Sequence, residues 1–211
     1  MDYIELLIKR YPDLKGLEDV ILNAYKLLEK AYEVGNKLLV CGNGGSASDS
    51  EHIVGELMKG FKNPRILNDK LKKKLEEVDE EVGKKLSTKL QQPLEAIALT
   101  GEIALNTALI NDVENGGEYC FANQVLGYGK KGDALIAIST SGNSKNVYNA
   151  CVVAKALGLK IIGLTGKDGG KLKNIADVCI IAPSNETYMI QEYHLPIYHT
   201  LCLMLEEHFF D

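Results

Sequence analysis

A chain of 211 residues is long enough for one domain with a sizeable core, and 45% apolar with 25% charged residues is ordinary for a globular protein. Its net charge is −5, from 24 basic and 29 acidic residues, and only Arg10 and Arg65 are arginine. This argues against nucleic acid, which needs a basic face; no apolar run reaches the roughly 20 residues of a membrane span, and Met1–Glu5 lack the basic start of a signal peptide, so a cytoplasmic protein is expected.

Residues 18–34 carry apolar side chains at i, i+3, i+4 and i+7, which predicts an amphipathic helix ending at Gly35, within an N-terminal helical segment over 1–35. A short buried strand follows at 37–41, and Gly42-Asn43-Gly44-Gly45-Ser46 opens a helix running to about Lys59. Residues 68–92 break the rhythm: they are dominated by Lys and Glu, with Leu71, Leu75, Val78 and Val82 keeping a helical stripe. One inserted, largely solvated helix is expected there, placed where it could cover the mouth of a site. Further strands are predicted at 95–100, 132–140, 160–165 and 177–182, a helix at 145–157, and a long final helix from about Glu186 to Phe210.

Strands that are apolar on both faces and alternate with helices predict a parallel sheet covered on both sides. The expected fold is α/β: one doubly wound αβα domain over 1–211 with five parallel strands. Cys41, Cys120, Cys151, Cys179 and Cys202 are widely spaced in apolar stretches, so they are expected to be reduced core thiols.

Two Ser/Gly-rich loops each follow a buried strand and precede a helix: 42–46 and Ser139-Thr140-Ser141-Gly142-Asn143-Ser144. In an open parallel sheet, ligands bind beyond the carboxyl ends of the strands. Helix N-termini there present free N–H groups, and glycines permit close approach. Backbone amides and hydroxyls can therefore hold a phosphate without arginine, and neither Arg10 nor Arg65 is expected to be its main anchor. The first loop also matches G-x-G-x-x-A at Gly42, Gly44 and Ala47, but the acidic residue that a dinucleotide fingerprint places about 20 positions on is missing. On the following helix His52 and Glu56 are four apart, and on the last helix Gln191 and His199 are eight apart, so each pair shares a face. Together they offer two nitrogens and two oxygens, a possible divalent-metal shell. His194 lies off that face and is expected to be structural, and His208 to be exposed near a frayed end.

Cys41-Gly42-Asn43-Gly44-Gly45-Ser46 with His52 and Glu56, the 139–144 loop, Leu164–Gly170 and Gln191-Glu192-x-His194 ending at His199 together resemble the signatures of bacterial phosphoheptose isomerases, in the sugar isomerase (SIS) superfamily. The resemblance spans roughly residues 20–207, apart from the insertion. It implies a single SIS domain acting on a sugar phosphate, sedoheptulose 7-phosphate above all. The substrate would contact Asn43, Gly44, Gly45, Ser46, Asn111, Asp112, Ser139, Thr140, Ser141, Ser144 and Gln191. The resemblance also implies zinc held by His52, Glu56, Gln191 and His199, with Glu56 as base and His199 as acid. Members are homotetramers with active sites at subunit interfaces. The chain departs from the pattern at Met58-Lys59-Gly60-Phe61, where Lys and Gly are transposed, and at Tyr188, where some members carry Asp; both bear on which sugar is bound. A related branch resembles non-catalytic, initiator-associating regulators of replication, which tend to lose the last-helix histidine; this chain keeps it. An isomerase of another sugar phosphate is the other alternative.

Overall fold

A computed structural model describes residues 2–210. Asp2 caps the first helix, α1 (Tyr3–Arg10), its carboxylate accepting from the Ile4 and Glu5 amides at 3.0 and 2.9 Å. Helix α2 (Glu18–Glu33) stops at Gly35, whose φ of +77° reverses the chain into β1 (Leu38–Cys41). There follow α3 (Gly45–Met58), α4 (Asp69–Val78), α5 (Glu80–Lys89), β2 (Ala96–Ala98), α6 (Ile103–Asp112), α7 (Cys120–Tyr128), β3 (Ala134–Ile138), α8 (Lys145–Leu157), β4 (Lys160–Thr165), α9 (Leu172–Ile175), β5 (Val178–Ile181) and α10 (Thr187–Phe210). The five expected strands and the long final helix are present; α6 and α7, which carry no strong periodic signal, were not foreseen.

The sheet is parallel throughout, in the order β2-β1-β3-β4-β5. Alternation along the central strands divides the core. Leu38 and Val40 of β1, with Ile136 and Ile138 of β3, face α2, α3 and α10, where Leu28, Ile53, Leu57, Ile197 and Leu201 pack. Leu39 and Cys41, with Leu135 and Ala137, face α7 and α8, where Val125, Val147, Ala150 and Cys151 pack. Buried Asp133 pins the start of the two middle strands by accepting from the amides of Lys37 and Lys130 and from the Lys37 ammonium. All five cysteines are free, and four are buried. No helix is long and apolar enough to cross a membrane among the described residues.

The insertion is two helices, not one. Asp79 leaves the helical conformation (φ −155°, ψ 116°), and its side chain accepts from the Val82 amide at 2.8 Å, capping a new helix. Buried Gly83 lets the pair meet closely, since a Cβ there would lie 2.4 Å from the Leu75 carbonyl oxygen. The hydrogen bonds that tie the insertion down run to the 60–66 segment: Gln91 accepts from the Gly60 and Arg65 amides, and Gln92 donates to the Arg65 and Ile66 carbonyls.

Arg65 and Glu206 form a buried hub, 1% exposed each. The Arg65 guanidinium donates to Glu206 at 2.8 Å and to the Leu57 and Glu56 carbonyls at 2.6 and 3.1 Å, and it lies 4.6 Å over the Phe210 ring. Those carbonyls belong to the open end of α3, which a helix leaves without intrahelical partners. Glu206 also accepts from the backbone amides of Phe61, Lys62 and Asn63 at 2.7, 2.7 and 3.1 Å. Burial pushes its carboxyl pKa up, but those three amides and Arg65 outweigh burial and hold it below the ordinary value. Arg65 is therefore committed to the frame, in accord with the expectation that it does not anchor phosphate. His208, expected near a frayed end, is exposed but sits on an ordered last turn with its ring nitrogens 3.3 and 3.5 Å from Glu29 and Glu33 of α2.

Glu206→Gln removes one partner of a fully buried ion pair and leaves the guanidinium uncompensated; a loss of about 3–5 kcal/mol in unfolding free energy is expected by urea titration. An unchanged midpoint would contradict the role given to the hub.

Candidate functional site

The chain adds β2 on one side of β1 and then β3 on the other, so the winding reverses between β1 and β3. Both Ser/Gly loops leave the carboxyl ends of these two strands, which is where doubly wound sheets bind ligands. The loops are joined across the gap by a reciprocal amide pair, Asn43 with Asn146, at 2.9 Å in both directions. Gly44, at φ +56°, turns the first loop into α3 with no side chain capping that helix. In the second loop the Ser139 and Ser144 hydroxyls are 2.9 Å apart, and the Asn143 amide donates to the Ser141 hydroxyl at 3.2 Å. Gly142, at φ +66°, packs so tightly on the 166–170 turn that a Cβ would lie 2.0 Å from the Gly169 carbonyl oxygen. Ser144 precedes α8 without capping it by its side chain, and although the Asn146 side chain accepts from the Val147 amide, the amides of Lys145 and Asn146 remain available to an anion.

The two face pairs seen in the sequence meet along one groove. A Cβ on Gly45 would lie 2.6 Å from Gln191 Nε2, so the Gln191 amide rests directly over the first loop. Seven residues along α3, the ring of His52 stands 5.0 Å from that of His199, eight residues along α10 from Gln191. The helices thus run side by side in the same direction, about two turns between the two contacts. His52 Nε2 is 3.2 Å from Glu56 Oε1, and Lys59 donates to the other Glu56 oxygen at 3.1 Å. The far side of His199 opens, with Arg10, Tyr11 and Phe61, on a cavity of about 340 Å³. Burial lowers the His199 pKa; neighbouring His52 and Arg10 lower it too, against the pull of Glu56. His199 Nε2 is buried with no hydrogen-bond partner among the described residues.

Asn111 and Asp112 end α6, exposed, with the Asn111 amide donating to Asp112 at 2.8 Å. Helix α6 packs against α7 and the turn before it, has no buried residue, and leaves Ile103 and Ile110 uncovered. No three His, Cys, Asp or Glu side chains are grouped to hold a metal among the described residues; His52 and Glu56 adjoin, while Gln191 stands two turns away over Gly45.

Some residues escaped the sequence reading. Asn146 was hidden one turn into a helix. Tyr198 and Asp49 flank the histidines and stand behind His52, with the Tyr198 hydroxyl 2.9 Å from His52 Nδ1 and 3.3 Å from Asp49. Glu206 carried a legible signal, since Tyr198, Cys202 and Glu206 are spaced i, i+4, i+8 and an acid on an apolar stripe demands a partner.

His194 is fully buried and structural, as expected: its Nε2–H donates to the Thr165 carbonyl at 3.0 Å, while Nδ1 has no partner. Burial lowers its pKa from 6.5 to about 4, against the opposing pull of that carbonyl. Between those pH values the unfolded chain binds this proton and the folded one does not. Stability therefore falls as pH drops through that window, by about 3 kcal/mol in all. Denaturant titrations from pH 7 to 4 should show this slope and show it reduced in His194→Gln; an equal slope in the variant would exclude His194 as the source.

The SIS domain family model matches residues 95–205. The phosphoheptose isomerase of Helicobacter pylori is 40% identical over 196 residues, 93% of this chain and 88% of that protein. Among solved structures, a phosphoheptose isomerase from Francisella tularensis superposes with a TM-score of 0.76 at 33% identity, covering 97% of this chain and 95% of that one. The Neisseria gonorrhoeae phosphoheptose isomerase gives 0.75 at 30% identity, covering 96% and 94%.

Proposed function

The chain belongs to the phosphoheptose isomerase family of SIS-domain enzymes, and on that premise we propose that it converts sedoheptulose 7-phosphate to D-glycero-D-manno-heptose 7-phosphate. The observation that carries this reading is the α3–α10 groove, which leads from the phosphate-type loops at Gly45 to the imidazoles and carboxylate two turns away. A seven-carbon chain anchored by its terminal phosphate extends its carbonyl end away from the anchor, and the groove supplies acid and base groups in that direction.

The phosphate is held by the amides of Gly44 and Gly45, the hydroxyls of Ser139, Thr140, Ser141 and Ser144, and the first amides of α8, with Ser46, whose own amide donates to the Asn43 carbonyl, closing the first loop. Asn43 and Gln191 face the sugar. The Glu56 carboxylate takes the proton from C1 of the ketose, leaving an enediol, and returns it to C2. His199 donates a proton to the C2 oxygen to form the enediol and then takes one back from the C1 hydroxyl, so the C1 oxygen becomes the aldehyde and the proton count closes. Burial, first of all, lowers the His199 pKa and so favours the neutral imidazole, whose N–H is the proton it has to give.

Zinc fits the donor set. The His52 Nε2–Glu56 Oε1 separation of 3.2 Å matches the roughly 3.3 Å between two ligands of a tetrahedral zinc ion, and the His199 ring, whose Nε2 is buried without a partner, stands 5.0 Å from that of His52. His52, Glu56 and His199 would hold the ion, which would polarise the substrate carbonyl and stabilise the developing oxyanion; Gln191, which the resemblance adds to the set, lies two turns away over Gly45. Asn111 and Asp112 face the sugar in this reading, and the uncovered apolar side chains of α6 beside them support a homotetramer with interfacial sites. Five free thiols support a reducing compartment, the cytoplasm. Retention of His199 beside His52 favours an enzyme over a non-catalytic regulator.

A panel of C5 to C7 ketose phosphates should show turnover that is strongest for sedoheptulose 7-phosphate. Glu56→Gln should lower kcat by about 10²–10⁴-fold, and robust activity in that variant would remove Glu56 as base. Ser141→Ala and Ser144→Ala should each raise KM by roughly 10-fold or more, the value of a hydrogen bond to a charged group, with kcat nearly unchanged. A KM unchanged in both would place the phosphate elsewhere.

A further inference from the structure

We propose that Tyr198, backed by Asp49, is a positioning residue that holds the His52 imidazole with its Nδ1 edge turned inward and its Nε2 reserved for the groove; this rests on the isomerase reading above. The Tyr198 side chain is 1% exposed, and its ring meets that of His52 edge to face with centroids 5.5 Å apart. Its hydroxyl lies 2.9 Å from His52 Nδ1 and 3.3 Å from Asp49 Oδ1. A hydroxyl has one proton to give. A carboxylate can only accept, so that proton goes to Asp49, and the phenolic oxygen is left to accept from His52 Nδ1–H. The lone pair then falls on Nε2, the nitrogen 3.2 Å from Glu56. Two acceptors at that distance repel unless a proton or a cation lies between them, so the relay prepares this point of the groove for a positive charge.

Without the hydroxyl, Nδ1 would face an apolar wall and the ring would gain by turning its donor toward Glu56. Asp49 is itself placed for this task. Its second oxygen is buried and has no hydrogen-bond partner, so the Tyr198 hydroxyl is the contact that orients it. Burial raises the Asp49 pKa, against the Tyr198 hydrogen bond and the nearby His52. Asp49, His52 and Glu56 are spaced three and four residues apart on α3, so the three lie along one face and Tyr198 enters beside them from α10.

The test is zinc binding by the full-length protein, measured by competition with a chromophoric chelator, for wild type, Tyr198→Phe and Asp49→Asn. Outer hydrogen bonds to a ligating histidine are worth 10–100-fold in metal affinity. Tyr198→Phe should weaken zinc binding by that factor, and should lose the slowly exchanging His52 Nδ1–H signal that imidazole NMR resolves in the zinc-loaded wild type. It should lower kcat while leaving KM within about twofold, since the phosphate loops are untouched. Asp49→Asn, which keeps a neutral acceptor for the hydroxyl, should show a smaller loss of affinity, and it carries the test if Tyr198→Phe does not fold. Zinc affinity within twofold of wild type in the folded variants overturns the proposal, as does a wild type that binds no zinc. Turnover of sedoheptulose 7-phosphate by wild type with unchanged affinities would sink the positioning role alone; weakened affinities without wild-type turnover would sink the isomerase reading alone.

Discussion

The geometry of the site depends on one buried ion pair. Arg65 and Glu206 are 141 residues apart in sequence and meet at 2.8 Å where α3 ends against the last turns of α10. Neither charge could be buried alone. Each also satisfies backbone groups that would otherwise be orphaned: Arg65 takes the last carbonyls of α3, and Glu206 takes three consecutive amides of the loop that follows. The pair therefore sets where α3 stops and how it lies against α10. Glu56, whose carbonyl is one of those capped by Arg65, and His199, two turns before Glu206, are placed by the same contact. The insertion begins and ends at this hub as well, through Gln91 and Gln92, so an excursion of 25 residues adds surface without disturbing the groove.

Two kinds of polar burial coexist here. Asp133 and the Arg65–Glu206 pair have their hydrogen-bonding capacity well filled, and they hold strands and helices in register. His199 and Asp49 keep buried atoms without partners. Nδ1 of His194, whose role is structural, is left without a partner as well, so this unfilled capacity is not confined to the groove.

Much of the fold was legible in the residues. Apolar runs bounded by glycine located all five strands, because strands buried on both faces cannot hide among polar sequence. The long last helix and both loops were equally plain. Helices α6 and α7 were not, since α6 buries no side chain and so has no amphipathic stripe to read. The break in the insertion turned on one residue, Asp79, whose capping role looks like any other acid in a Lys/Glu-rich run. In the site, His52 with Glu56 and Gln191 with His199 were each visible as a pair at helical spacing.

By itself the sequence determined the alternating architecture, the two anion-ready loops, and which side chains share a helix face, because these follow from local periodicity and from the chemistry of Gly, Ser and the helix terminus. Only the tertiary structure decided that Gln191 lies over Gly45, that His52 faces His199, and that Tyr198 and Asp49 stand behind His52. The reason is that helix-on-helix register is set by long-range contacts, here a buried charge pair 141 residues apart, and no local spacing encodes which face of one helix will meet which face of another.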